Sequence, residues 1–138
     1  KEKAETILRD LNACGRYLVN YFDGCNVETV YMLGLDAKCK VLFCREVGEG
    51  NVNSAAVSVR KIVDIALTEN ATSVVLAHNH PSGLAVPSME DIITTRRMGM
   101  ALDAVGITLE DHIVVAGKEH VSLRDSNYYD PEQCRMMV

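Results

Sequence analysis

The chain has 138 residues, a formal net charge of −5, 48% apolar residues, 5% aromatic residues and no Trp. That length fits a single domain over 1–138, with aliphatic side chains and methionine filling the core. No apolar run approaches the ~18 residues of a membrane-crossing helix, and the acidic balance argues against a surface that grips phosphate backbones.

Lys1 rather than Met opens the chain, which reads as a segment of something longer. Lys1-Glu2-Lys3 leads into an amphipathic pattern and lacks the uninterrupted apolar stretch of a signal peptide. Residues 4–22 read as a first helix: Ala4, Ile7, Leu8, Leu11, Cys14, Leu18, Tyr21 and Phe22 recur at spacings of three and four, and Gly24 suits its end. Residues 28–35 and 39–47 read as two strands joined by Asp36-Ala37-Lys38, short enough for an antiparallel hairpin. A Gly- and Asn-rich loop over 48–53 follows, then a helix over 57–69 with Val59, Ile62, Val63, Ala66 and Leu67 on one side.

Residues 73–78 form a continuous apolar run, as a strand covered on both faces does. Ser88 to Val105, bounded by Pro87 and Gly106, reads as a long helix. Two last strands over about 107–116 and 119–123 turn at Gly117-Lys118, and a polar tail after about 126 is expected to fray or pack on a neighbour. The order α-β-β-α-β-α-β-β predicts an α/β fold of three layers, helix on sheet on helix, around a mixed sheet. Five cysteines with no C-x-x-C pair are most simply reduced thiols of a cytoplasmic protein.

The chemistry concentrates in His78-Asn79-His80-Pro81-Ser82-Gly83, followed by Ser88 and Asp91. His78 and His80 stand two apart at the end of a strand, on one face and ~6.6 Å apart at Cα if extended. A strand end feeding a loop is where α/β folds place ligands. Ser88-x-x-Asp91 before an apolar run also resembles a capping box. Helix phase bears on that choice: Asp91 shares a stripe with Thr94, Met98, Ala101, Leu102 and Val105, whereas Glu90 shares a side with Arg97. Asp91 therefore points inward, and an inward carboxylate requires a cation or a full set of hydrogen bonds. Two imidazoles and one carboxylate make the three-ligand set of a catalytic zinc site with one position open. A general base must accompany such a site. Spacing leaves Glu28, Asp36, Glu46, Glu110 and Asp111 all open for that role.

His-Asn-His-Pro-Ser-Gly with Pro87-Ser88-x-x-Asp91 resembles the RadC family, a branch of the JAMM (MPN-plus) metalloprotease superfamily. Glu28 with Leu33-x-Leu35-Asp36, Arg60 with Ile62-Val63-x-x-Ala66-Leu67, Thr95, Gly106-Ile107, Asp111-His112-Ile113-Val114 and Ser122 extend the likeness over about residues 15–125. The resemblance implies a cytidine-deaminase-like JAMM/MPN core and a zinc ion (Zn2+) on His78, His80 and Asp91. It further implies Glu28 as general acid/base, and Ser88 as the donor that stabilises the oxyanion of the tetrahedral intermediate. The H-x-E and P-C-x-x-C motifs of the deaminases themselves are absent. Asp111-His112 belongs to the resemblance without a stated role, and packing or orienting a ligand is its simplest reading. The helix-hairpin-helix segment usual in longer RadC-like proteins is not in this sequence, and Val59 stands where the family more often has Pro before the Arg.

Three functions follow from these readings. The first is a zinc-dependent metallopeptidase or isopeptidase acting on an unknown peptide or protein substrate. The second is a DNA-repair-associated or protein-binding module without peptidase activity. The third is a metal-dependent nuclease, disfavoured because nucleases more often use two metals held by several carboxylates. Nothing in the sequence sets the oligomeric state.

Overall fold

The computed structural model describes residues 5–54, 57–81 and 83–136. Ala4 of the first predicted helix, Ser82 of the predicted turn and the last two residues of the tail lie outside the described residues.

A five-stranded sheet runs in the order β2-β1-β3-β4-β5. Its strands are β1 (Thr29–Leu35), β2 (Val41–Glu49), β3 (Ser73–Asn79), β4 (Thr108–Ala116) and β5 (Glu119–Ser122). Among the described residues only β3 and β4 pair in parallel; the β1–β2, β1–β3 and β4–β5 ladders are antiparallel. The sheet is thus mixed, as the element order predicts. Helix α1 (Leu11–Val19) covers one face, and α2 (Val59–Thr68), α3 (Met89–Ala104) and α4 (Pro131–Met136) cover the other.

Side-chain alternation sorts the core into two clusters. Val30 and Met32 of β1, Val74 and Leu76 of β3, and Leu109 and Val114 of β4 pack with Ile62, Ile92, Met98 and Leu102 beneath the helices on the α3 face. Leu33, Leu35, Val75, Ala77, Ile113 and Val115 pack with Cys14, Leu18 and Phe22 on the α1 face. A register shift between Val74 and Val75, whose partners are Leu109 and Asp111, makes Glu110 a bulge. An extra residue reverses the alternation, so Leu109 and His112 both face α3.

The first helix is shorter than its apolar stripe suggests. Asp10 caps Leu11–Val19 by accepting from the Ala13 amide at 2.7 Å, and a 3-10 turn continues over Asn20–Phe22. Residues 6–8 instead pair along the start of β2. The Val41 amide donates to the Thr6 carbonyl at 2.8 Å, and the Leu8 amide to the Cys39 carbonyl at 2.9 Å. Ile7 and Leu8 fit the helical spacing by chance, and a capping Asp at position 10 divides the stripe. The hairpin connection is also longer than three residues. The Asp36 carboxylate accepts the Lys38 and Lys40 amides at 2.9 Å each, and Cys39 takes φ +64°, so β2 starts at Val41 and runs to Glu49.

The tail predicted as polar contains α4, with Tyr129 and Cys134 buried against the α3 face. The Tyr129 hydroxyl donates to the Leu109 carbonyl at 2.6 Å. Gly99 makes the close approach possible: a Cβ there would stand 2.5 Å from the Tyr129 oxygen and 2.7 Å from Cys134 Sγ. All five cysteines are free. Among the described residues no helix is long and apolar enough to cross a membrane.

Candidate metal centre

The Ser88 side chain caps α3 by accepting from the Asp91 amide at 3.0 Å, and Asp91 Oδ2 accepts from the Ser88 amide at 2.8 Å. The capping box and the inward carboxylate are therefore the same residue seen twice. One oxygen of Asp91 fixes the helix start while the carboxylate, 2% exposed, faces the end of β3. Thr94, Met98 and Leu102 share the buried stripe, but Val105 is the exposed C-cap and leaves it. Glu90 is exposed.

Opposite Asp91 stand the two imidazoles. His78 Nε2 lies 3.0 Å from His80 Nε2 and 3.6 Å from Asp91 Oδ2, and His80 Nε2 lies 4.0 Å from the same oxygen. His78, His80 and Asp91 thus form a group able to hold a metal ion, with one donor atom from each within 4.8 Å of the others. Zinc–ligand bonds of about 2.0–2.1 Å in a tetrahedron imply ligand separations of about 3.3 Å, a value the 3.0, 3.6 and 4.0 Å separations of this group bracket.

The surrounding hydrogen bonds fix which nitrogen carries each proton. The Asp91 carbonyl can only accept, so it takes the single Thr95 hydroxyl proton, at 2.6 Å. The Thr95 oxygen then accepts from His112 Nδ1 at 2.6 Å, which leaves His112 Nε2 bare. That nitrogen in turn accepts from His78 Nδ1 at 2.7 Å, so His78 Nε2 keeps its lone pair. Likewise His80 Nδ1 donates to the Leu84 carbonyl at 2.9 Å, freeing His80 Nε2. Two bare imidazole nitrogens and a carboxylate oxygen converge on one point. That convergence is repulsive among the donors alone and favourable around a cation.

Electrostatics agree. Burial pushes the His78 imidazole down to about 4, against the opposing pull of the Asp91 carboxylate, with His80 adding to the fall. Burial, then His78 and His80, hold His112 well below the ordinary histidine range. Both rings are therefore neutral at physiological pH, the state a metal ligand needs. Asp111 lies under the other face of β4, where burial raises its carboxyl above the usual range although three hydrogen bonds oppose it. It accepts from the His112 amide at 2.7 Å, from the Arg124 amide at 3.0 Å and from the Ser122 hydroxyl.

Glu28 comes immediately before β1, at the mouth of an open cleft of about 480 Å³ that it lines with Asn26, His80, Pro81 and Gly83. Glu28 lies two residues past the last β1–β3 ladder pair, Val30–His78, and shares the cleft lining with His80. Ser88 is exposed, and its hydroxyl proton is not used by the cap. His112 and Thr95 were not identified from spacing as parts of the site, though a polar His112 inside the apolar run 107–116 is the signal that points to it. His120 lies apart, with its ring over Gly15, 2.3 Å from where a Cβ would stand.

Comparison with known proteins places this geometry. The family described as a RadC-like JAB domain matches residues 8–128. The chain is 34% identical over 122 residues to a UPF0758 protein of Finegoldia magna, covering 88% of this chain and 55% of that protein. It is 43% identical over 97 residues to a UPF0758 protein of Bordetella parapertussis, covering 70% of this chain and 43% of that one. A UPF0758 protein of Stenotrophomonas maltophilia is 36% identical over 135 residues, 98% of this chain and 58% of its own length. The chain spans about half the length of the curated relatives it matches.

Proposed function

The chain belongs to the RadC-like JAB domain family, and on that footing we propose that it is a zinc-dependent hydrolase cleaving amide or isopeptide bonds in a peptide or protein substrate. The single observation that carries the reading is the convergence of His78 Nε2, His80 Nε2 and Asp91 Oδ2, with both imidazole tautomers set to present lone pairs. Zinc held there supplies Lewis acidity and lowers the pKa of a water from ~15.7 towards ~7.

The protein's own residues do the rest. Glu28, on the rim of the cleft beside His80, takes a proton from the attacking water onto its carboxylate and returns it to the leaving nitrogen. The Ser88 hydroxyl donates to the carbonyl oxygen as negative charge grows on it. Asp91 orders Ser88 for that task through the capping box, so helix start and reaction share one pair of residues. The His112–Thr95 chain holds the His78 ring in the required tautomer. We propose a polypeptide rather than a nucleic acid as substrate, because the net charge is −5 and the two adjacent basic pairs, Arg60-Lys61 and Arg96-Arg97, stand on different helices.

Metal analysis and turnover test the proposal together. Purified protein is expected to carry about one zinc per chain and to lose it in His78→Ala. Glu28→Gln is expected to keep the zinc and lose cleavage of a fluorogenic peptide library by at least ~100-fold. Zinc far below one per chain, with no difference between the parent protein and His78→Ala, overturns it.

A further inference from the structure

We propose that Asn79, the residue between the two histidines, is the positioning residue that holds Glu28 against the metal centre. This inference rests on the reading of Glu28 as general base given above. Asn79 points to the opposite face of the sheet from His78 and His80, is 3% exposed, and takes no part in the donor cluster.

Its carboxamide makes two directional bonds around Glu28. Asn79 Oδ1 accepts from the Thr29 amide at 2.8 Å, and Asn79 Nδ2 donates to the Val27 carbonyl at 3.1 Å. An amide hydrogen demands the oxygen and a carbonyl demands the nitrogen, so the orientation of the group is determined by its partners. The residues on both sides of Glu28 are thereby tied to β3.

The tie occurs where the backbone ladder gives out. The β1–β3 pairing ends at Val30–His78. Beyond it β3 leans to β4, pairing Asn79 with Val115 and sending the His80 amide to the Val115 carbonyl at 2.8 Å. The side-chain amide of Asn79 replaces the missing backbone rungs, and carries the β1 end two residues further alongside the histidines. From the other side the Gly50 amide donates to the Glu28 carbonyl at 2.7 Å. Glu28 is therefore clamped between β2 and β3, and the β3 half of the clamp comes from one side chain. Placing that clamp within the ligand motif means the ligands and the base are set by one rigid tripeptide.

The chemistry of the two bonds tells the variants apart. Asn79→Asp keeps the acceptor for Thr29 but turns a carboxylate oxygen towards the Val27 carbonyl. Asn79→Ala removes both bonds and leaves the buried Thr29 amide without its acceptor, while the Val27 carbonyl keeps the Thr29 hydroxyl. Asp is nearly isosteric, so it supplies a folded variant if the alanine form does not fold.

Amide hydrogen exchange on the full chain tests the clamp without metal or turnover. In Asn79→Ala, protection at Thr29 and at Gly50, which Asn79 does not touch, is expected to fall at least tenfold, and in Asn79→Asp that at Gly50 falls while Thr29 keeps its acceptor; Met32 and Leu76 in the sheet centre keep theirs in both. Unchanged protection at Gly50, or an equal fall at Met32 and Leu76, overturns the proposal. With zinc-loaded protein and a cleaved peptide, the variants are expected to lose at least tenfold in kcat with KM within twofold and zinc content intact. Adding Asn79→Asp to Glu28→Gln is expected to cost nothing more. A loss in kcat that adds fully to that of Glu28→Gln also overturns it. If Glu28→Gln alone leaves turnover intact, the base assignment falls, and the exchange data still decide whether Asn79 holds this segment.

Discussion

Three side chains and one backbone carbonyl decide the state of the His78 ring: His78 itself, His112 and Thr95, ending on the Asp91 carbonyl, linked by hydrogen bonds of 2.6–2.7 Å. Breaking the far end of that chain tests its role. Thr95→Val removes the acceptor for His112 Nδ1, so His112 can turn its other tautomer towards His78. Zinc affinity, measured by competition with a chromophoric chelator, is expected to fall about 10–100-fold, with Thr95→Ser restoring most of it. An unchanged affinity in Thr95→Val removes the chain from the account of ligand orientation.

Protonation acts at the same scale. His78 and His112 are held below an unfolded-state value of about 6.5, so the unfolded chain binds more protons than the folded one in acid. Stability from these rings is complete above about pH 6.5 and falls as the pH drops towards the His78 value of about 4. The slope approaches ~1.4 kcal/mol per pH unit for each proton. Asp111 acts oppositely: its raised carboxyl favours the folded state as acid is added, and offsets part of the loss at the low end. Urea midpoints of metal-free protein are therefore expected to decrease from pH 7 to pH 5. A flat midpoint over that range refutes the neutral pair.

At the scale of elements, α3 connects the two functions of this fold. Its N-terminus presents Ser88 and Asp91 to the site, and its middle supplies Gly99 as the seat for α4. A Cβ at Gly99 meets the Tyr129 oxygen at 2.5 Å and Cys134 Sγ at 2.7 Å, so Gly99→Ala is expected to push α4 outward. The cost is about 1–3 kcal/mol, visible as a lower Tm. Zinc content should be unaffected, because the clash is two turns from Asp91. Loss of zinc in Gly99→Ala instead shows that α4 braces the site.

Boundaries are where sequence and structure part at this scale. The helix over Leu11–Val19, the hairpin and the site helix were legible because capping residues and periodicity agree there. Residues 6–8 were not, since a bridge to Lys40 depends on an edge strand far away in sequence. The tail's short helix carries too few apolar residues to declare itself, and Tyr129 and Cys134 gain their burial from Gly99 and Leu109.

For the whole molecule, the donor cluster sits between the sheet and α3, so a cation bound there adds a tie between layers that already meet through packing and the Thr95–His112 hydrogen bond. Zinc is expected to raise stability by about 2.7 kcal/mol at a free concentration of 100 Kd, read as a rise of several degrees in Tm that a chelator reverses. No rise, in protein shown to bind zinc, means the folded and unfolded chains hold the ion equally. The acidic balance predicts no micromolar DNA binding by this chain; a steep salt-dependent titration in that range would restore the rival reading.

The sequence by itself determined the candidate donor set. His78 and His80 share a strand face, and helix phase turns Asp91 inward, both consequences of local periodicity. It also determined the mixed sheet, through element order and apolar runs. The tertiary structure alone decided what those ligands are next to. A bulge at Glu110 turns His112 towards His78, the end of the β1–β3 ladder brings Asn79 to the flanks of Glu28, and α4 folds onto Gly99. Each of these depends on strands or helices far apart in sequence, and local propensity holds no record of such distances.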